Sequence, residues 1–139
     1  MKGFTVIELL LVIAIVIVLG AVAAPFLSRF YLQTNLDTTS QILVSSIRKS
    51  QAYSMDGKGG AAWGICLNGS AIRIFQGTCA SPTTNEDYNV PSTVTVTGLP
   101  SITFSTGRGE PSATFSATIS SQIGSHTVQI NSSGALTIN

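Results

Sequence analysis

Apolar residues along this chain follow three different patterns in succession. From Phe4 to Leu27 nearly every position is apolar, and Glu8 is the only charged residue between Phe4 and Ser28. From about Phe30 to Met55 the apolar positions thin to one side: Leu32, Leu36, Leu43 and Ile47 recur at helical spacing, with Asp37, Ser40, Arg48 and Lys49 assigned to the other faces. After Gly60 the period falls to two. These patterns predict one long helix, apolar all round in its first half and one-sided in its second, followed by strands.

The uncharged run over residues 9–27 is long enough to cross a hydrocarbon core of roughly 30 Å as a helix. In lipid every backbone polar group must be bonded internally, which makes that segment helical. Gly20 and Pro25 lie near its end; Pro25 lacks a backbone donor and crowds the preceding turn, so a kink or local melting is expected there. The helix is expected to stop at Asp56-Gly57-Lys58-Gly59-Gly60, where glycine is available for the cap.

In the period-two region, segments 62–67 and 70–75 flank Asn68-Gly69, a strong signal for a two-residue hairpin turn. That turn pairs Ile65 with Ile72 and Trp63 with Ile74 on one face and leaves Cys66 on the other. Residues 76–89 read as a polar loop. Further strands are expected at 90–96, 101–104, 112–120, 126–131 and 135–138, separated by Gly98-Leu99-Pro100, Gly107-Arg108-Gly109, Gly124 and Ser132-Ser133-Gly134. The expected fold class is α+β: one antiparallel sheet, covered on one face by Leu36, Leu43 and Ile47 of the helix.

Charge and cysteine content refine this reading. The 139 residues carry a net charge of +1, and only 9% are charged. From Phe30 onward the five Lys/Arg and five Asp/Glu balance, so no overall field draws the domain to nucleic acid, and none is expected as a partner. Outside the cytoplasm, Cys66 and Cys79 would form one disulfide and pin the start of the polar loop; the alternative is two buried thiols.

Glu8 is the chemical anomaly. A carboxylate near the start of a membrane helix is costly unless paired or neutralised. A cut between Gly3 and Phe4 would create an amine one helical turn from Glu8. Between neighbouring helices slid past one another, the amine of one chain could meet the carboxylate of the next and set their axial register. The positive end of the helix dipole lowers the cost further.

The residues Gly-Phe-Thr-Val-Ile-Glu-Leu-Leu at 3–10, the apolar helix to Leu27 and Pro25 together resemble the type IV pilin and type II secretion pseudopilin superfamily. The resemblance implies a pilin-like fold and a prepilin peptidase that cuts between Gly3 and Phe4. It implies N-methylation of Phe4, a role for Glu8 in recruiting subunits, and loosening of the helix near Pro25 in a filament. The implied partners are that peptidase, identical or related subunits, an inner-membrane assembly platform and membrane lipid. The leader is shorter than in many pilins, with Lys2 its one basic side chain. The layout of 43–54, Trp63-Gly64-Ile65-Cys66, Ile102-Thr103-Phe104 and the strand after Gly134 is similar to the GspH/FimT-like branch, some of whose members take up DNA through C-terminal arginines. Residues 131–139 hold no basic residue, so DNA binding is not carried over.

The expected organisation is a leader at 1–3, a membrane and filament-core helix at 4–28, an amphipathic continuation at 29–56 and a sheet domain at 57–139. The expected role is structural, with a minor pilin or pseudopilin preferred to a major pilin. The competing reading is an ordinary secretory signal, with Lys2, residues 9–19 and a cut near Ala23 releasing a soluble β-rich binding protein. Glu8 inside the early apolar region, and the helix continuing past the cut, oppose it. No catalytic constellation, cofactor or metal is expected. His126 is remote in sequence from both cysteines, Trp63 reads as a packing residue, Glu86-Asp87 as a solvated pair with no support for calcium, and Gly107-Arg108-Gly109 as a turn. Asn68-Gly69-Ser70 and Asn131-Ser132-Ser133 are read as turns rather than glycan acceptors.

Overall fold

A computed structural model describes residues 3–139 and, within them, all side chains except those of residues 22–24. Met1 and Lys2 of the expected leader lie outside the described residues. The chain is α+β. One helix, α1 (Val6–Met55), is followed by a single 3₁₀ turn at Lys58–Gly60 and eight strands: β1 (Trp63–Asn68), β2 (Ala71–Gly77), β3 (Pro82–Asn89), β4 (Thr95–Thr97), β5 (Ile102–Thr103), β6 (Phe115–Ser121), β7 (Gly124–Ile130) and β8 (Leu136–Ile138).

The helix assignment runs without a break through Gly20 and Pro25. It ends where the glycine cluster begins: Asp56 N–H donates to Ala52 O, Gly57 N–H to Ser54 O, and Gly57 adopts φ +63. The buried face of its second half includes Leu36, Leu43, Val44 and Ile47, as the spacing required. The face is wider than expected, because Thr39, Ser40, Ser46, Ser50 and Ser54 are buried too. Three of these hydroxyls are satisfied by the helix itself: Thr39 donates to Asn35 O, Ser40 to Leu36 O and Ser50 to Ser46 O, whereas Ser46 Oγ has no partner among the described residues. Ser54 goes further, accepting from Trp63 N–H at 2.8 Å and so tying the helix to the first strand.

Instead of one sheet there are two four-stranded antiparallel sheets, ordered β3-β2-β1-β5 and β4-β6-β7-β8. Both pack on α1. A continuous core joins Leu36, Leu43, Val44 and Ile47 to Ile65, Ile72 and Ile102 of the first sheet and to Val96, Ala117, Ile119, Val128 and Ile130 of the second. The alternation at 117/119 and 128/130 is the half-buried pattern of a sheet with one face on a core.

The first hairpin turns one residue later than expected. Gly69 and Ser70 form the turn, Asn68 pairs with Ala71, Ile65 with Ile74, and Leu67 with Ile72. Gly69 has φ +59 and no non-glycine residue among the described residues has positive φ, so only the first turn position needs left-handed backbone. A turn centred on Asn68-Gly69 would have required it at both. The change moves each partner by two positions. Because side chains alternate with period two, the face assignments survive although the pairs differ.

Residues 76–89 are not a loop throughout. Pro82–Asn89 forms edge strand β3 on β2. The opposite face of β1 and β2 is also covered. Phe75 pairs with Gly64 and is 1% exposed; a Cβ on Gly64 would lie 2.6 Å from its ring and 2.4 Å from Ile102 O. Gly64→Ala is therefore expected to lower unfolding stability by about 1–3 kcal/mol, the usual range for overpacking, as read from urea denaturation.

Candidate assembly surface

The start of α1 is built by a capping motif. Thr5 is the N-cap, with extended backbone (φ −81, ψ 152), and its Oγ1 accepts from Glu8 N–H at 3.3 Å. Glu8 stands at the third helical position, where an acidic residue meets the positive end of the helix dipole. The Thr-x-x-Glu spacing is that of a capping box. Glu8 is exposed, and the ion pairs among the described residues (Lys49–Glu86, Arg73–Asp87, Arg108–Glu110 and His126–Asp37) do not include it. Phe4 is 84% exposed, and a Cβ built on Gly3 would meet nothing within 4 Å.

From Gly3 to Tyr31 every described side chain of this segment is exposed, and the domain does not begin to cover the helix until Leu32. The exposed residues include Val6, Ile7, Leu9, Leu10, Ile17 and Phe26, so about half of a 50-residue helix presents an apolar surface that nothing among the described residues buries. The segment is long and apolar enough to cross a membrane. Gly20 has open space where its side chain would be. A glycine in a helix interior costs about 1 kcal/mol relative to alanine, and no contact among the described residues requires it.

In the domain, Cys66 and Cys79 form a disulfide across 13 residues. Removing it, as Cys66→Ser with Cys79→Ser, is expected to cost about 3 kcal/mol in urea denaturation by loop-closure entropy. Arg73 reinforces the same loop. It donates to both carboxylate oxygens of Asp87 at 2.7 Å and to Cys79 O at 3.1 Å.

Glu86 and Asp87 are not a solvated pair. As consecutive residues of a strand they point to opposite faces, and each meets its own cation. Asp87 takes Arg73, while Glu86 takes Lys49 and accepts from the Tyr88 and Tyr53 hydroxyls. A calcium site would need both carboxylates on one side. The Lys49 hydrogen bond is the main cause holding the Glu86 carboxyl below its ordinary value, and the Arg73 bond does the same for Asp87. Lys49 is pushed above its ordinary 10.5, chiefly by Glu86. A depressed carboxyl contributes stability above its unfolded value and loses it as pH falls through the folded one. Acidification below about pH 4 is thus expected to release β3 first, seen as faster amide exchange in β3 than in β6 and β7, and Glu86→Gln should remove part of that dependence.

His126 makes a structural contact: its Nε2 lies 3.1 Å from Asp37 Oδ1, and Gln33 donates to both Asp37 oxygens. The groove beside this pair, about 590 Å³ and lined in part by Gln41, Arg48 and Ile138, has its acid and its histidine already joined to each other. Trp63 packs as expected, buried and edge-on to Tyr53 at 4.9 Å, with its indole N–H on Lys58 O.

Sequence reasoning had identified Glu86, Asp87 and His126 but not their partners, since Lys49–Glu86 and Asp37–His126 span 37 and 89 residues. It also passed over Ile123, an apolar residue in the two-residue turn between β6 and β7. Turns favour Gly, Asn, Asp and Ser, and that departure was a usable signal. No protein-family model, characterised protein or solved structure gives a match to this chain.

Proposed function

We propose that the chain is a structural subunit of a type IV pilus or type II secretion pseudopilus, with a pilin-like fold and no catalytic role. The observation that carries the reading is the exposed apolar half of α1, bearing one carboxylate at its third position directly after Gly3-Phe4. An apolar helix surface of this extent requires lipid or other helices around it. Lipid alone accounts for the apolar residues but leaves Glu8 an unexplained cost. Neighbouring subunits account for both.

The sequence of events follows from that requirement. The precursor waits in the bacterial inner membrane with residues 9–27 in the bilayer and the disulfide-bonded domain outside the cytoplasm. Prepilin peptidase cuts between Gly3 and Phe4, and the new amine on Phe4 is methylated. An assembly platform then draws the subunit out of the lipid into a bundle of like helices. There Glu8 of one subunit pairs with the Phe4 amine of another, while apolar packing supplies most of the cohesion. Gly20 and Pro25 give the helix a place to loosen as it leaves the bilayer.

The experiment is to follow the chain in cells with and without active prepilin peptidase. With the peptidase it is expected in sheared or purified filaments, in few copies relative to the main subunit if it is a minor pilin or pseudopilin. Without the peptidase it stays in the inner membrane. Release as a soluble protein in either strain would refute the proposal.

A further inference from the structure

The β6–β7 hairpin runs alongside α1 toward its membrane end. His126 meets Asp37, and Gly124 faces Leu36, whose Cδ2 lies 4.0 Å from where a Cβ would stand. Ser121 pairs with Gly124, which leaves Gln122-Ile123 as the tip. This tip shares an open cleft of about 690 Å³ with Phe26, Arg29, Phe30 and Gln33. Gly124 stands at Leu36 and a strand advances about 3.3 Å per residue, so the tip hangs level with about Phe30 to Gln33, the first turns beyond the apolar run. All of these helix residues follow Pro25, so a bend there would not separate them from the hairpin.

The chemistry of this end of the domain is that of a bilayer interface. Ile123 is 38% exposed in a turn where apolar residues are disfavoured, and Phe26, Phe30 and Tyr31 are each 60% exposed or more. Residues 121–125 carry no charge, and Arg29 makes no ion pair among the described residues. Aromatic residues and a cation at the end of a span, beside an uncharged tip with one exposed apolar side chain, match a phospholipid headgroup layer.

We infer that the tip of the β6–β7 hairpin, with Ile123 at its apex, is a second membrane contact of the unassembled subunit, dipping into the headgroup layer of the bilayer that α1 crosses. The inference rests on the membrane reading of residues 9–27 and adds an orientation to it. The helix is one axis and alone would let the domain rotate about it; the hairpin contact, off that axis, fixes which face of the domain is turned to the lipid. Entry into a filament then requires the tip to leave the bilayer together with the helix.

The test uses the full chain, disulfide intact, in vesicles of phosphatidylethanolamine with a minority of phosphatidylglycerol. A single cysteine is introduced as Ile123→Cys, Leu19→Cys or Ser133→Cys and labelled with an environment-sensitive fluorophore; the native cysteines are blocked by their own bond. Nitroxide-bearing lipids then quench whatever touches the bilayer. Quenching at position 123 by headgroup-labelled lipid is expected to be several-fold above that at 133, while chain-labelled lipid quenches position 19. Quenching at 19 but only background at 123 would overturn the hairpin contact while leaving the membrane helix standing. Background at all three would overturn the membrane reading and the contact with it. Shielding at 123 that ignores the nitroxide and fades as protein is diluted into lipid would assign the tip to a second copy of the chain, also against the inference.

Discussion

Gly3→Leu will leave the domain folded and the precursor uncut. The first half of this expectation follows from the space around Gly3: a side chain there meets nothing within 4 Å, and the residue precedes both the cap at Thr5 and the helix. The core begins more than thirty residues later, at Leu36. Any defect caused by leucine must therefore arise outside the folded chain, at whatever reads residues 3 and 4. A peptidase that places the bond between Gly3 and Phe4 in its site would have to accommodate the added Cβ and its branches. The expected result is near-complete retention of the leader, seen as a single uncut band and the absence of the protein from filaments, with unchanged urea denaturation. Gly3→Ala, with a single methyl, should be cut at an intermediate rate. Normal maturation of Gly3→Leu would remove the reason for a glycine at this position.

The second large effect is expected at Glu8. Glu8→Ala removes a charge that costs up to about 2.5–3.5 kcal/mol at the centre of a bilayer, and less near its edge, so insertion should be unchanged or slightly improved. Assembly should suffer. A charge-assisted hydrogen bond contributes about 1.5–3 kcal/mol, and each tenfold in an equilibrium is about 1.4 kcal/mol, so incorporation should fall at least about tenfold. Two further variants separate charge from shape. Glu8→Gln keeps the length and one acceptor but loses the attraction to an amine, and should resemble alanine. Glu8→Asp keeps the charge on a shorter arm and should retain partial incorporation. Thr5 provides the control: Thr5→Ala removes the cap that receives Glu8 N–H, yet leaves the carboxylate in place. If Thr5→Ala matched Glu8→Ala, helix capping rather than pairing would be the function of this end.

What could be read from the sequence here, and what could not, divides by range. Helix α1 was legible almost to the residue. Its apolar run is continuous, its buried stripe recurs at 3.6, and glycine and aspartate end it, all of which are local signals. The Cys66–Cys79 disulfide was legible from the cysteine count, on the condition that the domain lies outside the cytoplasm. The hairpin at Gly69 was legible in its faces but not in its register, because Asn-Gly and Gly-Ser both make good turns and the period-two pattern is blind to a shift of two. Strand β3 was illegible. Pro82–Asn89 covers little of the core, so its side chains carry no apolar alternation; it is held by backbone pairing and by two cations distant in sequence. The split into two sheets was equally hidden, since it depends on which strand pairs with which, and composition does not encode that. At the candidate surface, Glu8 stood out because a charge in an apolar run is visible locally. Ile123 did not, because its meaning depends on the hairpin lying beside Phe26 and Phe30.

The pairing of Glu8 with a freed Phe4 amine stands or falls on the N-terminal peptide of the protein recovered from intact filaments, read by mass spectrometry. The expected chain begins at Phe4, carries one methyl group on its amine and still contains residues 9–27. A filament protein that begins at Met1 would leave Glu8 without the amine meant to neutralise it. A mature protein that begins at Ala24 would show that the apolar helix is discarded rather than built into a fibre. Either result rules out assembly through a Phe4–Glu8 contact.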